Sequence, residues 1–304
     1  MSLLRNEHVD VRDDRFFEVV AADAVVRRLA TGMVFTEGPV WLDDALIFSD
    51  IPANKLMSWS PERGLTVFRD PGNWPNGNAL DHQGRLITCE HGWRDVTDAQ
   101  LTRRLTRTET LGSITVLVDR VQGRRLNSPN DVAVDAQGCV WFTDPPWGKA
   151  GFTGSVRRGQ GTHPLYRWVP DSGELAVAWD GLESPNGLCF GVQERSLYVG
   201  NSIPDDPVVY RFEVQKGYVV VPPVPFARIE RGVPDGMCVD DAGRLYCSGG
   251  DAIYVFAPDG CLLGKLFIPE MATNCCFGQA DGRTLFITAE SSLYAVSLHV
   301  KGER

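Results

Sequence analysis

Short apolar runs separated by turn residues follow one another along most of the chain. Six segments share a plan in which a carboxylate or carboxamide residue opens a short apolar strand, and a turn follows. A second apolar run comes after each turn, so each segment predicts a β-hairpin. The six opening residues are Glu37, Asn76, Asn130, Asn186, Asp235 and Asn274.

The spacing of these segments indicates one repeated architecture. Their opening residues lie 39, 54, 56, 49 and 39 residues apart, which is the range of four-stranded propeller blades. We therefore predict an all-β fold, a six-bladed β-propeller in which each repeat forms the inner hairpin of one blade. Residues 31–304 would form a single propeller domain, and residues 1–30 an N-terminal extension and possible closing strand. A pair of β-sandwiches is disfavoured because one motif recurs six times in one register.

The six opening residues predict a central metal site. The innermost strand of each propeller blade lines the central channel, so residues at one register converge on the axis. Carboxylates and carboxamides are the oxygen donors that Ca²⁺ requires. A single Asn-Gly pair would be explained by a turn, but six such residues in register favour a metal. We expect one divalent cation, most simply Ca²⁺, although Mg²⁺, Mn²⁺ or Zn²⁺ can occupy oxygen sites.

Composition and charge narrow the class of protein. The 304 residues are 43% hydrophobic and 23% charged, which excludes a disordered chain. The net charge of −9 argues against nucleic acid or an anionic membrane as a partner. A secretory signal needs an unbroken apolar region, but charged residues interrupt the apolar residues at the N-terminus. We therefore expect a cytoplasmic protein. Eight cysteines without Cys-x-x-Cys spacing are expected to be reduced and buried. The sequence leaves the oligomeric state open.

Seven motifs carry a resemblance to a known family. They lie at residues 35–41, 73–78, 89–92, 127–132, 142–148, 184–187 and 233–240. Together they resemble the SMP-30/gluconolactonase/regucalcin family, and more specifically its bacterial gluconolactonase-like branch. The resemblance implies a six-bladed propeller with one divalent cation at its axis. It also implies hydrolysis of sugar-acid lactones, or of other esters and organophosphates as in related members.

The resemblance assigns roles to individual residues. It implies Glu37, Asn130, Asn186 and Asp235 as metal ligands, with Asp235 also the favoured general base. These are four of the six residues that the repeat places on the axis. Asn76 and Asn274 remain as polar groups that line the channel and contact substrate or water.

Other candidates lie near the predicted strand ends. His91 is either a base or substrate donor, or an ordinary half-buried histidine. Asp144 and Trp147 either offer a carboxylate and a flat surface to sugar hydroxyls, or form a proline-stiffened turn. Arg94 and Arg107 are either contacts for a product carboxylate or ordinary surface arginines. Ser128 occupies the position where some animal members of the family carry a substrate-binding arginine, which leaves the substrate open.

Three functions are compatible with these residues. The first is a divalent-metal-dependent hydrolase that opens a sugar lactone, acting on a small-molecule substrate. The second uses the same metal site on another ester or a phosphotriester. The third is a non-catalytic propeller that serves as a binding module with a structural metal. A serine hydrolase of the α/β type is not supported, because no Gly-x-Ser-x-Gly motif is present.

Overall fold

A computed structural model of the chain describes residues 3–97, 99–100, 102–149 and 156–303. Its regular elements are almost entirely strands, with two short 3₁₀ helices at Asp14–Glu18 and Val192–Glu194. Three strands precede the first blade: β1 (Leu4–Arg5), β2 (Val9–Val11) and β3 (Arg27–Thr31). The prediction of an all-β fold is confirmed.

Blades 1 to 3 are antiparallel sheets of four consecutive strands each. Blade 1 contains β4 (Thr36–Leu42), β5 (Ala45–Asp50), β6 (Lys55–Ser60) and β7 (Gly64–Arg69). Blade 2 contains β8 (Pro75–Leu80), β9 (Leu86–Glu90), β10 (Arg104–Thr108) and β11 (Ile114–Val118). A small ribbon of β12 (Arg120–Val121) and β13 (Arg124–Arg125) leads to blade 3. Blade 3 contains β14 (Val132–Val134), β15 (Val140–Thr143), β16 (His163–Trp168) and β17 (Leu175–Leu182).

Blades 4 to 6 complete the six-bladed propeller that the repeat predicts. Blade 4 contains β18 (Pro185–Phe190), β19 (Ser196–Asn201), β20 (Val208–Gln215), the short β21 (Tyr218–Val219) and β22 (Val224–Arg228). Blade 5 contains β23 (Met237–Val239), β24 (Leu245–Gly249), β25 (Ala252–Phe256) and β26 (Leu262–Phe267). Blade 6 contains β27 (Ala272–Gly278), β28 (Thr284–Ala289) and β29 (Ser292–Ser297).

The N-terminal strands complete the last two blades. The strand β3 pairs antiparallel with β29 and is the outermost strand of blade 6. The strand β2 pairs with β26 and extends the sheet of blade 5, and β1 pairs with β2. Residues from both ends of the chain therefore share the sheet of blade 6.

A recurring aspartate shapes the inner hairpins. In three blades a carboxylate accepts hydrogen bonds from the backbone amides two and four residues later, at 2.8 to 3.0 Å. The glycine three residues after each aspartate has a φ of +72° to +79°, which other residues rarely adopt. This Asp-x-x-Gly sequence therefore sets the turn between the first two strands of each of these blades. The three pairs are Asp81 and Gly84, Asp135 and Gly138, and Asp240 and Gly243.

The core lies between adjacent blades, where the large side chains of the strands pack. Trp141, Phe142, Phe48, Phe212 and Phe286 are among its fully buried members. None of the eight cysteines forms a disulfide; four are buried, three half-buried and one exposed, so the expectation of buried cysteines holds for four of them. No helix in the described part of the chain is long and apolar enough to cross a membrane.

Candidate active site

Five of the six predicted opening residues line one cavity. It lies at the N-terminal ends of the inner strands, with a volume of about 450 Å³. One residue comes from each of blades 1 to 5, and four of them are at most 7% exposed while the fifth, Asp235, is half-buried. The fold therefore gathers residues that are up to about 200 positions apart in the chain. The five are Glu37, Asn76, Asn130, Asn186 and Asp235.

Glycines that follow these residues let the inner strands approach closely. A Cβ atom at Gly187 would lie 2.1 Å from the Asp235 carbonyl oxygen of the next blade. A Cβ atom at Gly77 would lie 2.3 Å from Asp131 Oδ1. Both glycines lie inside strands, in β8 and β18, rather than in turns. The glycines of these Asn-Gly sequences therefore allow the inner strands to approach closely at the axis, and they do not form turns.

The sixth blade departs from the predicted register. In blade 3 the Thr143 hydroxyl donates to the Asn186 carbonyl of the next blade at 2.8 Å. In blade 5 the Ser248 hydroxyl donates in the same way to the Thr273 carbonyl at 2.7 Å. Thr273 is thus the structural counterpart of Asn186, and the prediction that Asn274 shares the common register is wrong by one residue. Side chains alternate along a strand, so Asn274 is not among the described residues that line the cavity.

Asn274 instead contacts the site through a hydrogen bond to Glu37. Its Nδ2 donates to Glu37 Oε2 at 3.1 Å, and its Oδ1 accepts from the Cys275 amide at 2.8 Å. Against the larger effect of burial, the same side chain lowers the pKa of the buried Asp131 carboxylate. Asn274 therefore fixes the position of Glu37 through a direct hydrogen bond.

Asp131 is a residue that the sequence analysis did not single out. It is 7% exposed, and its carboxylate accepts from the Val132 amide at 2.9 Å. Burial raises its pKa to about 7. The sequence does distinguish this position. Four opening residues are followed by a glycine, whereas Asn130 is followed by Asp131. The four glycines are Gly38, Gly77, Gly187 and Gly236.

Three carboxylates thus crowd the axis, and each resists ionisation. Burial, followed by the charge of Asp131, raises the pKa of Glu37 to about 8. Burial, followed by the charge of Glu37, raises the pKa of Asp235 well above its ordinary value. A cation placed among them would stabilise all three charged forms.

The donor chemistry fits a divalent cation. Asn186 Oδ1 is buried and has no hydrogen-bond partner in the described structure, an arrangement that normally costs free energy. No three His, Cys, Asp or Glu side chains within the described ranges form a metal-holding group, so the donors here combine two carboxylates with two carboxamides. Such a set suits a hard cation that takes oxygen ligands.

His91 holds the carboxamide of Asn76. Its Nδ1 lies 3.3 Å from Asn76 Nδ2, and both side chains are buried at the cavity. Burial lowers the pKa of His91 to about 4, against the opposing effect of nearby carbonyls of Pro129 and Ser128. The imidazole is therefore neutral at pH 7, with Nδ1 accepting from Asn76. With its Nδ2 directed at His91, the Asn76 side chain keeps Oδ1 for a ligand.

Of the two candidates in residues 144–148, Trp147 lines the cavity as predicted, whereas Asp144 is not among the described residues that do. Asp144 is 1% exposed. Its carboxylate accepts from the backbone amides of Asn127 and Ser128 at 2.9 and 2.8 Å. Backbone amides therefore already occupy this buried carboxylate, as expected of the alternative interpretation of Asp144 in a proline-stiffened turn.

The outer part of the cavity is largely apolar and aromatic. Its walls include Phe35, Trp93, Val233 and Met271. Arg94 also lines it, with its guanidinium 5.6 Å from the Trp93 ring centroid. The cavity therefore combines polar groups at its base with flat apolar walls and one arginine at its rim, an arrangement typical of small-molecule sites.

Fold and site together define a six-bladed propeller with an oxygen-donor site at its axis. The chain belongs to the SMP-30/gluconolactonase/LRE-like family, whose model matches residues 35–291. This match confirms the resemblance found in the sequence.

Three relatives show how the chain compares with characterised proteins. It is 30% identical to a gluconolactonase of Zymomonas mobilis, over 93% of this chain and 83% of that protein. It is 27% identical to a pentonolactonase of Haloferax volcanii, over 87% of this chain and 84% of that protein. A solved gluconolactonase structure from Xanthomonas campestris superposes with a TM-score of 0.84 at 33% identity, covering 96% of this chain and 94% of that one.

Proposed function

We propose that the protein is a divalent-metal-dependent hydrolase that opens a sugar lactone. The observation that carries the proposal is the buried, unpartnered Asn186 Oδ1 beside two carboxylates with raised pKa values, all facing one cavity. Similarity to a gluconolactonase and to a pentonolactonase supports a lactone as the substrate. We also retain a cytoplasmic location as part of the proposal.

Glu37, Asn130, Asn186 and Asp235 would hold the cation, with Ca²⁺ favoured by the all-oxygen donor set. When bound, the cation polarises the lactone carbonyl and stabilises negative charge on its oxygen. Their inner strands are held in close register by glycines and interblade hydrogen bonds. The ligands are therefore preorganised by the fold.

The chain's own residues then carry out the hydrolysis. Asp235 accepts a proton from the attacking water, whose oxygen bonds to the lactone carbonyl carbon. The ring C–O bond breaks, and the ring oxygen receives that proton from Asp235 to give the open hydroxy acid and regenerate the carboxylate. Asn76, oriented by His91, binds the substrate beside the carbonyl, and Trp147 provides a flat wall for the sugar ring. Arg94 at the rim can attract the product carboxylate.

The proposal is tested by changing the carboxylates one at a time. We expect Glu37→Gln and Asp235→Asn to lose bound metal, measured by elemental analysis of purified protein. We expect the same variants to lose at least about 100-fold in kcat/KM for an aldonolactone. Chelation of the unaltered protein should abolish turnover, and added Ca²⁺ should restore it.

Asp240→Asn is the matched control for Asp235→Asn. The two aspartates flank the same inner strand, β23, but Asp240 lies at its far end. Its carboxylate accepts from two backbone amides and from Arg244 and Tyr246. We expect this variant to keep its metal and its kcat/KM. Full turnover by metal-free protein or by Asp235→Asn would refute the proposal.

A substrate panel separates this activity from the other two functions. Preference for an aryl ester or a phosphotriester over every lactone would assign the same site to a different reaction. Tight metal binding without turnover of any panel member would favour a binding module. A higher kcat/KM for aldonolactones than for both ester classes supports the proposal.

A further inference from the structure

Ser128 makes the hydrogen bonds that flank Trp147 in the loop carrying this tryptophan into the cavity. Asn127 bonds the start of the loop at Asp144. This rim loop, residues 144–148, directly follows β15 and contains two consecutive prolines. Ser128 is fully buried beside it and is not among the described residues that line the cavity. Contacts between the serine and the loop therefore determine where the tryptophan lies.

Ser128 bonds the rim loop on both sides of Trp147. Its hydroxyl donates to the carbonyl of Pro145 and accepts from the amide of Gly148 at 3.0 Å. The carboxylate of Asp144, at the base of the loop, accepts from the Ser128 amide at 2.8 Å. One serine thus fixes the loop at three points.

The same loop also confines His91. A Cβ atom at Gly148 would lie 2.4 Å from the His91 carbonyl oxygen, 2.5 Å from its Cδ2 and 2.8 Å from its Nε2. The Gly148 backbone is therefore packed directly against the imidazole that orients Asn76. A displacement of this loop would move both Trp147 and His91.

A second serine in the chain shows that the motif alone does not produce this arrangement. Ser184 stands two residues before Asn186, as Ser128 stands two residues before Asn130, and a proline follows each serine. Both serines are fully buried. The Ser184 hydroxyl, however, has no hydrogen-bond partner in the described structure. The bonds to a rim loop therefore belong to Ser128 and not to the Ser-Pro-Asn sequence in general.

We propose that Ser128 is a positioning residue that sets substrate affinity by holding the rim loop against the cavity. Through Gly148 and Pro145 it fixes the wall formed by Trp147 and the ring of His91. This inference rests on the proposed lactonase function for its kinetic consequence. Its structural consequence, an ordered loop, does not depend on that function.

The first test compares Ser128→Ala with the matched variant Ser184→Ala. Loss of the two hydroxyl hydrogen bonds predicts a KM for the aldonolactone about five- to thirtyfold higher in Ser128→Ala. We expect kcat to stay within about twofold, and metal content to be unchanged, because neither the ligands nor Asp235 is altered. Ser184→Ala should leave KM unchanged. An equal effect of both substitutions, or a loss of bound metal in Ser128→Ala, would overturn the proposal.

A double-mutant cycle tests whether Ser128 acts through Trp147. We expect KM of Ser128→Ala/Trp147→Ala to equal that of Trp147→Ala alone within about twofold, since the wall is already absent. Additive effects would overturn the part of the proposal in which Ser128 acts through the Trp147 wall.

Hydrogen exchange provides a readout that needs no substrate. In the metal-loaded protein, Ser128→Ala should accelerate exchange of the Gly148 amide at least about tenfold, and Ser184→Ala should not. If the unaltered protein hydrolyses no lactone but this difference appears, the proposed function fails and the positioning role stands. Unchanged Gly148 exchange in Ser128→Ala would refute the positioning role itself.

Discussion

At the scale of single residues, the polar groups around the axis are of two kinds. Asn78 satisfies its side chain fully, donating to the Gly38 and Asn76 carbonyls and the Ser49 hydroxyl and accepting from Thr88. Asn186 is equally buried but leaves its Oδ1 without a partner in the described structure. Buried polar atoms are rarely left unpaired. Asn78 therefore serves the fold, and the Asn186 oxygen is free for a ligand.

The raised pKa values at the axis lead to a prediction about pH. In the metal-free protein the pKa of Glu37 is raised to about 8 and that of Asp131 to about 7. Both exceed the pKa values of about 4 that these carboxyl groups have in the unfolded chain, so the folded protein holds its protons more tightly. The free energy of unfolding of the metal-free protein should therefore fall as pH rises from about 4 to about 8. Cations bind carboxylates and displace their protons. We expect Ca²⁺ affinity to rise between about pH 6 and pH 8.5, with more than one proton released per ion near pH 7, because all three carboxylates have raised pKa values.

Calorimetric titration in two buffers of different ionisation enthalpy measures both the affinity and the protons released. Asp131→Asn is the informative variant, because it removes one titrating charge without removing a proposed ligand. It should release fewer protons at pH 7 than the unaltered protein does. Equal affinity at pH 6 and pH 8.5 would contradict the prediction.

At the scale of elements, the site depends on how closely the inner strands approach one another. Gly187 in β18 lies against the backbone of Asp235 and Gly236, where a Cβ atom would come within 2.1 to 2.7 Å. Backbone atoms of a neighbouring strand cannot rotate away as a flexible side chain can. We expect Gly187→Ala to lower the free energy of unfolding by about 1–3 kcal/mol. The variant should also bind Ca²⁺ at least about tenfold more weakly, because two proposed ligands are displaced.

Gly191→Ala is the control for this prediction. Gly191 directly follows the same strand with an ordinary φ of −78°, and its added Cβ would approach Tyr198 Cε2 at 3.2 Å. Chemical denaturation and calcium titration of both variants provide the comparison. Equal losses in the two variants would show that strand separation at the axis is not the cause.

The hairpins and their number could be predicted because each repeats a local pattern of apolar runs and turn residues. The convergence of five opening residues followed from the propeller symmetry. Asn274 was misplaced because it resembles the other opening residues, whereas the register is set by the Ser248 bond to Thr273 across blades. The partners of Asp144 could not be predicted from its motif, because the amides that bond its carboxylate lie 16 and 17 residues earlier in the chain. Such contacts depend on the assembled ring and leave little trace in local sequence.

At the scale of the whole molecule, the N-terminal segment, residues 3–31, connects blades 5 and 6 of the ring. Its strand β2 extends blade 5 and its strand β3 completes blade 6. Between these strands, Phe16 is fully buried in a core cluster with Tyr246 of blade 5 and Leu285 of blade 6. One short segment therefore connects two blades through two sheets and a shared core. Because the inner strands of all the blades converge on the axis, stability of this closure bears on the site.

Phe16 and its neighbour Phe17 allow the closure to be tested. The Phe16 ring packs on Gly264 of blade 5, where an added Cβ atom would lie 2.3 Å from Phe16 Cδ1, whereas Phe17 is 40% exposed. We expect Phe16→Ala to lower the free energy of unfolding by about 3–5 kcal/mol, and Phe17→Ala by less than about 1 kcal/mol. Denaturation should be followed in parallel by tryptophan fluorescence and by release of bound metal. If the segment closes the ring, both signals in Phe16→Ala shift together to lower denaturant concentration, since the inner strands separate when the closure opens. Loss of the segment's structure with the metal still retained would instead show that the remaining blades hold the axis without it.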